Sequence, residues 1–297
     1  MQLAGAYTAL ITPFTADGSA VDLDRLKANV TYQIEQGIDG VVPVGTTGES
    51  PTVSHQEHNA IITAAVDAAS GKARVIAGTG SNSTAEALST TRHAKAVGAD
   101  AALMVNPYYN KPTQEGLYRH FMAIADAVDL PIVLYNIPGR TNVTMSADTV
   151  ARLYQHANIV AIKDATGSLD MTSEIASLCD ITILSGDDSM TLPMMSVGGK
   201  GVISVLSNLC PAKVKALVDA AAADDIAAAR KQHHELFHLC KGLLTMSTNP
   251  IPIKAAMKLV GVDTGALRLP MTELPAEDVP RLEKLLQSAG VLDGAGV

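Results

Sequence analysis

Lys163 follows the apolar run Ile159-Val160-Ala161-Ile162 and precedes Asp164 and the turn-like Ala165-Thr166-Gly167. A continuous apolar run of this length reads as a strand buried on both faces of a parallel sheet. Lysine is among the residues least often fully buried. At the end of such a strand it is either solvated beside an acid or held there for its amine. A lysine amine in a desolvated pocket forms Schiff bases with carbonyl substrates. That chemistry needs hydroxyls to carry protons while a carbinolamine forms and dehydrates, and donors for a substrate carboxylate. The chain offers both. Tyr135 ends another apolar run, Thr46 and Thr47 sit in the turn Gly45–Ser50, Tyr108 and Tyr109 occupy a proline-bounded loop, and Arg140 follows Pro138-Gly139. Successive N–H groups in a glycine-flanked turn such as Gly45–Gly48 make an anion nest.

These residues need elements that bring them to one place. Short apolar runs recur at Ala6–Ile11, Gly40–Val44, Arg74–Ala77, Ala101–Val105, Pro131–Tyr135, Ile159–Ile162, Ile181–Leu184 and Gly201–Val205. Between them lie amphipathic Ala-rich segments, clearest at Leu23–Glu35, His55–Ala69, Ala85–Val97 and Gly116–Val128. Ser54 and Thr84 are candidate caps, and Gly37, Gly71 and Gly98 are candidate stops. Eight strand–helix repeats imply parallel strands with crossover helices, and a complete set of eight predicts an α/β fold of the closed (β/α)8, or TIM-barrel, kind. The chain then divides into a barrel over residues 1–224 and a C-terminal helical extension over 225–297. The extension holds helical patterns at Asp225–Leu244, Pro252–Val260 and Pro275–Ala289.

In such barrels the site lies where the strands end. The residues after the strand ends include Thr46, Thr47, Asn82, Tyr109, Tyr135, Arg140, Lys163 and Gly186, whereas Asp39, Asp100, Leu130 and Asp180 mark the opposite rim. One rim thus gathers the lysine, three of the seven tyrosines, the paired threonines and an arginine. That asymmetry favours a catalytic Lys163 over a solvated one.

Bulk properties narrow the class. The 297 residues are 47% hydrophobic and 18% charged, which allows a large core and argues against disorder. A net charge of -8 with no Lys/Arg-rich run argues against nucleic acid and anionic membrane as partners. Aromatics are only 3% and Trp is absent, so a base-stacking platform is not expected. Three scattered cysteines fit a reduced compartment, Met1–Phe14 lacks a signal-peptide pattern, and no run approaches a membrane span. A cytoplasmic protein is expected.

Other motifs carry less. His234-Glu235-Leu236-Phe237-His238 matches HExxH, but it lies in the extension with no third ligand following, so no metal is expected there. Gly78-Thr79-Gly80-Ser81-Asn82-Ser83 lacks the third glycine of a dinucleotide fingerprint. Asp187-Asp188 reads as a helix cap and first turn. His55 and His58, at i and i+3, read from the residues alone as structural.

Together, GTTGES (Gly45–Ser50), NPYYNKPTQEGLY (Asn106–Tyr118), YNIPGRT (Tyr135–Thr141), IKDATG (Ile162–Gly167), SGDD (Ser185–Asp188) and GVISV (Gly201–Val205) resemble the dihydrodipicolinate synthase (4-hydroxy-tetrahydrodipicolinate synthase) family. This is a branch of the pyruvate-dependent class I aldolases that also include N-acetylneuraminate lyase. The resemblance runs from Gly5 to about Ala289, with the motifs in matching order and spacing. The resemblance implies that Lys163 forms a Schiff base with pyruvate and that the enamine attacks L-aspartate 4-semialdehyde, with no cofactor. It implies a hydroxyl relay of Tyr135, Thr46 and Tyr109, with Tyr109 acting across a subunit interface. Thr46 and Thr47 would take the pyruvate carboxylate, Arg140 the semialdehyde carboxylate, and Gly186 and Ile203 would line the pocket through their backbones. Assembly as a homotetramer of tight dimers is implied. So is inhibition by L-lysine, at Ser50, Pro51, His55, His58, Asn82, Glu86 and Tyr108; Pro51 stands where many sensitive members have alanine. Two alternatives stay open: a sister aldolase acting on N-acetylneuraminate or a 2-keto-3-deoxysugar acid, and an idle barrel that binds amino acids. Thr47 and Arg140 favour the synthase over the sister aldolases.

Overall fold

In the computed structural model, which describes residues 3–292, eight strands alternate with helices as far as Ser204. They run β1 (Gly5–Ala9), α1 (Leu23–Glu35), β2 (Gly40–Val42), α2 (His55–Ala69), β3 (Arg74–Gly78), α3 (Thr84–Ala96), β4 (Ala101–Val105) and α4 (Gln114–Ala127). Then come β5 (Ile132–Asn136), the single turn α5 (Pro138–Thr141), α6 (Ala147–Leu153), β6 (Ile159–Asp164), α7 (Leu169–Leu178), β7 (Thr182–Ser185), α8 (Thr191–Ser196) and β8 (Gly201–Ser204). The strands are parallel and close in the order β1 to β8, with β1 paired back to β8. Closure leaves no exposed sheet edge. Gly5 and Gly201 face each other at the seam, where a Cβ on Gly201 would strike the Gly5 backbone.

Alternation along each strand splits the core into two layers. Tyr7, Val42, Ile76, Leu103, Val133, Ala161, Leu184 and Ile203 point inward and pack together inside the barrel. Their neighbours Ala6, Val41, Val75, Met104, Leu134, Ile162, Ile183 and Val202 point outward beneath the helices. Fully burying each such aliphatic side chain contributes about 1.5–3 kcal/mol. The same alternation fixes polar residues. Ala161 and Lys163 point inward, Ile162 and Asp164 outward.

Helix ends follow local chemistry. Ser54 and Glu57 form a reciprocal capping box at the start of α2. Ser83, not Thr84, caps α3, because its hydroxyl accepts from the Glu86 N–H while Thr84 already lies in the helix. Gly37, Gly71 and Gly98 take positive φ just past α1, α2 and α3. Strand β2 stops at Val42, two residues short of the expected Val44, because Val44 turns left-handed with φ of 54°. Strand β6 continues through Lys163 to Asp164, both of which pair with β5 and β7.

Past β8, α9 (Pro211–Ala222) completes the outer ring, and α10 (Ile226–Met246), α11 (Ile251–Leu259) and α12 (Val279–Ser288) form the extension. Residues 275–278 make a turn, so α12 begins later than the expected Pro275. Residues 293–297 of the expected extension lie outside the described residues. Leu236, Leu239 and Leu243 of α10 and Leu282 and Leu286 of α12 share the outer core with the barrel helices. No helix among the described residues is long and apolar enough to cross a membrane.

Candidate active site

Lys163 is 5% exposed, inside the barrel near the strand ends. Its register partners are Tyr135 on β5 and Leu184 on β7. The Nζ lies 4.3 Å from the centre of the Tyr135 ring. Among the described residues no carboxylate pairs with it. The adjacent Asp164 points the other way, where its carboxylate accepts from the Thr166 N–H at 2.9 Å and from the Thr172 hydroxyl at 3.1 Å. The pairing of Lys163 with its neighbouring acid is therefore excluded by strand alternation. Gly186, whose N–H donates to the Asp164 carbonyl at 2.7 Å, leaves room for the lysine; a Cβ there would come 3.1 Å from the Lys163 Cε. Ile203 is buried in the same interior cluster.

The Gly45–Ser50 turn is bracketed by two residues in the left-handed region, Val44 at φ 54° and Glu49 at φ 53°. For a β-branched valine this is a strained backbone that the surroundings must hold. Gly48 permits the fold, since a Cβ there would meet Val44 at 3.0 Å, and its carbonyl accepts from the Thr12 hydroxyl at 2.6 Å. Glu49 is buried and receives the Nζ of Lys254 at 2.7 Å and the Arg268 N–H at 3.3 Å. Lys254 also donates to the Thr12 carbonyl at 2.9 Å. The C-terminal extension thus clamps the turn that carries Thr46 and Thr47.

Thr47 is buried, and its hydroxyl accepts from the Asn249 side chain at 3.1 Å. Arg140 is exposed on α5, and its Nη2 donates to the Asn249 carbonyl at 2.8 Å. The loop bearing Arg140 is anchored by Asn136, which accepts from the Asn106 side chain and the Met145 N–H and donates to the Met145 carbonyl.

Tyr109 stands apart. It is 90% exposed at φ 72°, and among the described residues no hydrogen bond ties it to Tyr135 or Thr46. Its loop is braced, because Asn82 donates to the Tyr108 carbonyl at 3.1 Å and Asn110 donates to the Asn82 carbonyl at 2.8 Å.

A cavity of about 290 Å³ lies beyond the other end of the turn, lined by residues that include Ser50, Pro51, His55, His58, Glu86 and Tyr108. This is the low end of the range for small-ligand pockets. Asn82 does not line it but holds Tyr108. Glu86 accepts from the Ser81 hydroxyl at 2.8 Å. Burial, helped by His55 and His93 nearby, pushes the His58 imidazole down to about 4. His58 is bonded to the Gly78 backbone, and its buried Nδ1 has no hydrogen-bond partner among the described residues. It stays neutral near pH 7, with acceptor capacity to spare.

Sequence reasoning missed Asn249, Lys254 and Arg268. A signal existed for Lys254, which lies three residues from Ile251 and three from Met257, both buried, on the apolar face of α11. Asn249 had none, since an asparagine before a proline reads as an ordinary turn. Among the described residues no group of three or more His, Cys, Asp or Glu side chains is placed to hold a metal ion.

A closed parallel barrel with a buried lysine against a tyrosine near the strand ends fits a lyase of the barrel class. Comparison with known proteins gives the family. The model of the dihydrodipicolinate synthetase family matches residues 2–289, and the chain belongs to that family. It is 51% identical over 290 residues to the 4-hydroxy-tetrahydrodipicolinate synthase of Endomicrobium trichonymphae, covering 97% of this chain and 99% of that one. The structure of the Acinetobacter baumannii dihydrodipicolinate synthase complexed with pyruvate matches with a TM-score of 0.95 at 42% identity, covering 98% of this chain and 100% of that one. The lysine-bound Cyanidioschyzon merolae enzyme matches with a TM-score of 0.94 at 40% identity, covering 97% and 99%.

Proposed function

We propose that the chain condenses pyruvate with L-aspartate 4-semialdehyde through a Schiff base on Lys163, in the diaminopimelate route to lysine, and that free L-lysine inhibits it. The observation that carries this reading is the setting of Lys163: buried, unpaired with any acid among the described residues, and stacked on Tyr135. Its Nζ attacks the keto carbon of pyruvate, and the carbinolamine loses water to give the imine. Loss of a methyl proton gives the enamine, whose carbon attacks the aldehyde. The amine of the semialdehyde then displaces Lys163 from the imine carbon, which closes the ring and frees the lysine. One water is released overall. Tyr135, Thr46 and Tyr109 carry the protons.

Thr46 and Thr47 take the pyruvate carboxylate, and Gly186 and Ile203 shape the pocket. The guanidinium of Arg140 takes the semialdehyde carboxylate with its planar fork. Tyr109, exposed on a braced loop, is supplied to the site of a second copy of the chain in a homotetramer of tight dimers. The cavity beside His58 and Glu86 takes L-lysine. The Glu86 carboxylate and the neutral His58 suit an ammonium, and the size suits a free amino acid. The pyruvate-bound and lysine-bound relatives support both ligands. A cytoplasmic setting fits the free cysteines Cys179, Cys210 and Cys240.

Borohydride reduction in the presence of labelled pyruvate tests the reading. The label attaches to the wild-type chain and is lost in Lys163→Ala; a label that survives the substitution refutes the assignment. A coupled assay with both substrates, with and without lysine, tests the substrate pair and the inhibitor. Equal activity with a sugar acid favours a sister aldolase instead.

A further inference from the structure

Asn249 hydrogen-bonds to both side chains assigned above to substrate carboxylates. Its side-chain amide donates to Thr47 Oγ1 at 3.1 Å, and its backbone carbonyl accepts from Arg140 Nη2 at 2.8 Å. It comes from the junction between α10 and α11, far from both in sequence. We infer that Asn249 is a positioning residue that sets the proton direction of Thr47 through its side chain and the aim of Arg140 through its backbone. This rests on the reading that Thr47 binds pyruvate and Arg140 the semialdehyde.

The argument is one of hydrogen-bond polarity. A hydroxyl has one proton and two lone pairs, and an amide N–H can only donate. With Asn249 donating into one lone pair, the Thr47 proton must point elsewhere, and no other partner claims it among the described residues. It is left to donate to an anion. The incoming amide also polarises the hydroxyl, which strengthens that donation. For Arg140, a long exposed side chain, the Asn249 carbonyl occupies one guanidinium N–H and limits the rotamers from which the remaining donors face a ligand. Asn249 itself is held firmly. The Ile251 N–H donates to the Thr248 carbonyl at 2.9 Å, and α11 is pinned by Lys254 on Glu49, two residues past Thr47. The extension therefore reaches the site twice, once to hold the turn and once to orient its hydroxyl.

Because the two contacts use different parts of Asn249, substitution separates them. Asn249→Ala removes the amide and keeps the carbonyl. It raises the KM for pyruvate about tenfold, the scale of one net hydrogen bond, and leaves kcat and the KM for the semialdehyde within about twofold. Asn249→Asp, nearly isosteric, turns the donor into an acceptor. It captures the Thr47 proton, adds charge where a carboxylate should bind, and raises the pyruvate KM by more than the alanine variant does. Thr47→Val raises the pyruvate KM as well, and adding Asn249→Ala to it costs nothing further, because the amide acts only through that hydroxyl. A residue that merely supported the fold would lower Tm and move kcat and both KM values together. If Thr47→Val raises the pyruvate KM while Asn249→Ala and Asn249→Asp leave it unchanged, the inference falls and the assignment of Thr47 stands. Additive effects in the double variant overturn it too. If Thr47→Val itself leaves the pyruvate KM unchanged, Thr47 does not bind pyruvate, and both readings fail.

Discussion

Lys163 and Lys254 are both buried, and each Nζ lies 4.3 Å from the centre of an aromatic ring, Tyr135 for one and Phe14 for the other. Their remaining partners differ. Lys254, with no exposed surface, meets Glu49 at 2.7 Å and the Thr12 carbonyl at 2.9 Å. Burial pulls its amine below the usual lysine range, and Glu49 opposes that pull. Lys163 has the ring and no carboxylate among the described residues. A lysine with an acid and a carbonyl is a bolt, because its donors are spent on the protein. A lysine whose donors are unspent is available to an electrophile. Burial alone does not separate structure from chemistry. The partner set does.

The comparison breaks if the two lysines respond alike to removal. Lys163→Ala lowers turnover by about a thousandfold or more, since the covalent step has no substitute. Thermal denaturation of the same variant gives a Tm at or above that of the wild type, because a buried amine without a carboxylate is removed. Lys254→Ala does the reverse. It strands the Glu49 carboxylate in the core and costs about 3–5 kcal/mol of stability, read from urea unfolding. Lys254→Met combined with Glu49→Gln recovers most of that loss, since the desolvated charges leave together. A Lys163→Ala chain as unstable as Lys254→Ala would erase the distinction.

A smaller effect sharpens the point about buried bases that lack an acid. Burial lowers both His58 and His120 to about 4. An unfolded histidine takes up its proton near pH 6.5, whereas these hold off until about 4. Within that window the unfolded chain binds more protons, so stability falls as pH falls from about 6.5 toward 4 and is fully present above it. The loss is at most about 3 kcal/mol per histidine. Glu57, held down to about 2 chiefly by Arg268, continues the same trend below the usual carboxylate range. Urea titrations between pH 8 and 4 check this, with a shallower slope expected in His120→Gln. A flat profile would contradict the neutral burial of these rings.

The next prediction returns to the rim. Arg140→Ala raises the KM for the semialdehyde well above any change for pyruvate, by about tenfold for one charge-assisted contact. Smallest of all, Ser54→Ala removes the cap of α2 and costs about 1 kcal/mol while both lysines stay in place. Because Glu57 shares its carboxylate between Ser54 and Arg268, a loss well above that figure would show that the cap and the clamp on the turn act as one unit.

The sequence by itself determined the barrel and most of its rim. Eight apolar runs with helical segments between them leave few topologies, because parallel strands need crossovers and eight of them close. The bounds of α1 and α2 were legible to the residue, since capping and stop signals are local. Lys163 stood out because a cation at the end of an apolar run is rare. Its freedom from Asp164 was not legible until alternation in the strand set the two on opposite faces. Lys254 and Glu49 lie far apart in the chain, as do Asn249 and both of its partners, and no local pattern encodes such pairs. Only the tertiary structure, by laying α11 across the Gly45–Ser50 turn, decided which lysine is spent on the fold and which has no carboxylate partner among the described residues. Hydrogen-bond partners are assigned by proximity in space, and over two hundred residues of chain that proximity belongs to the fold.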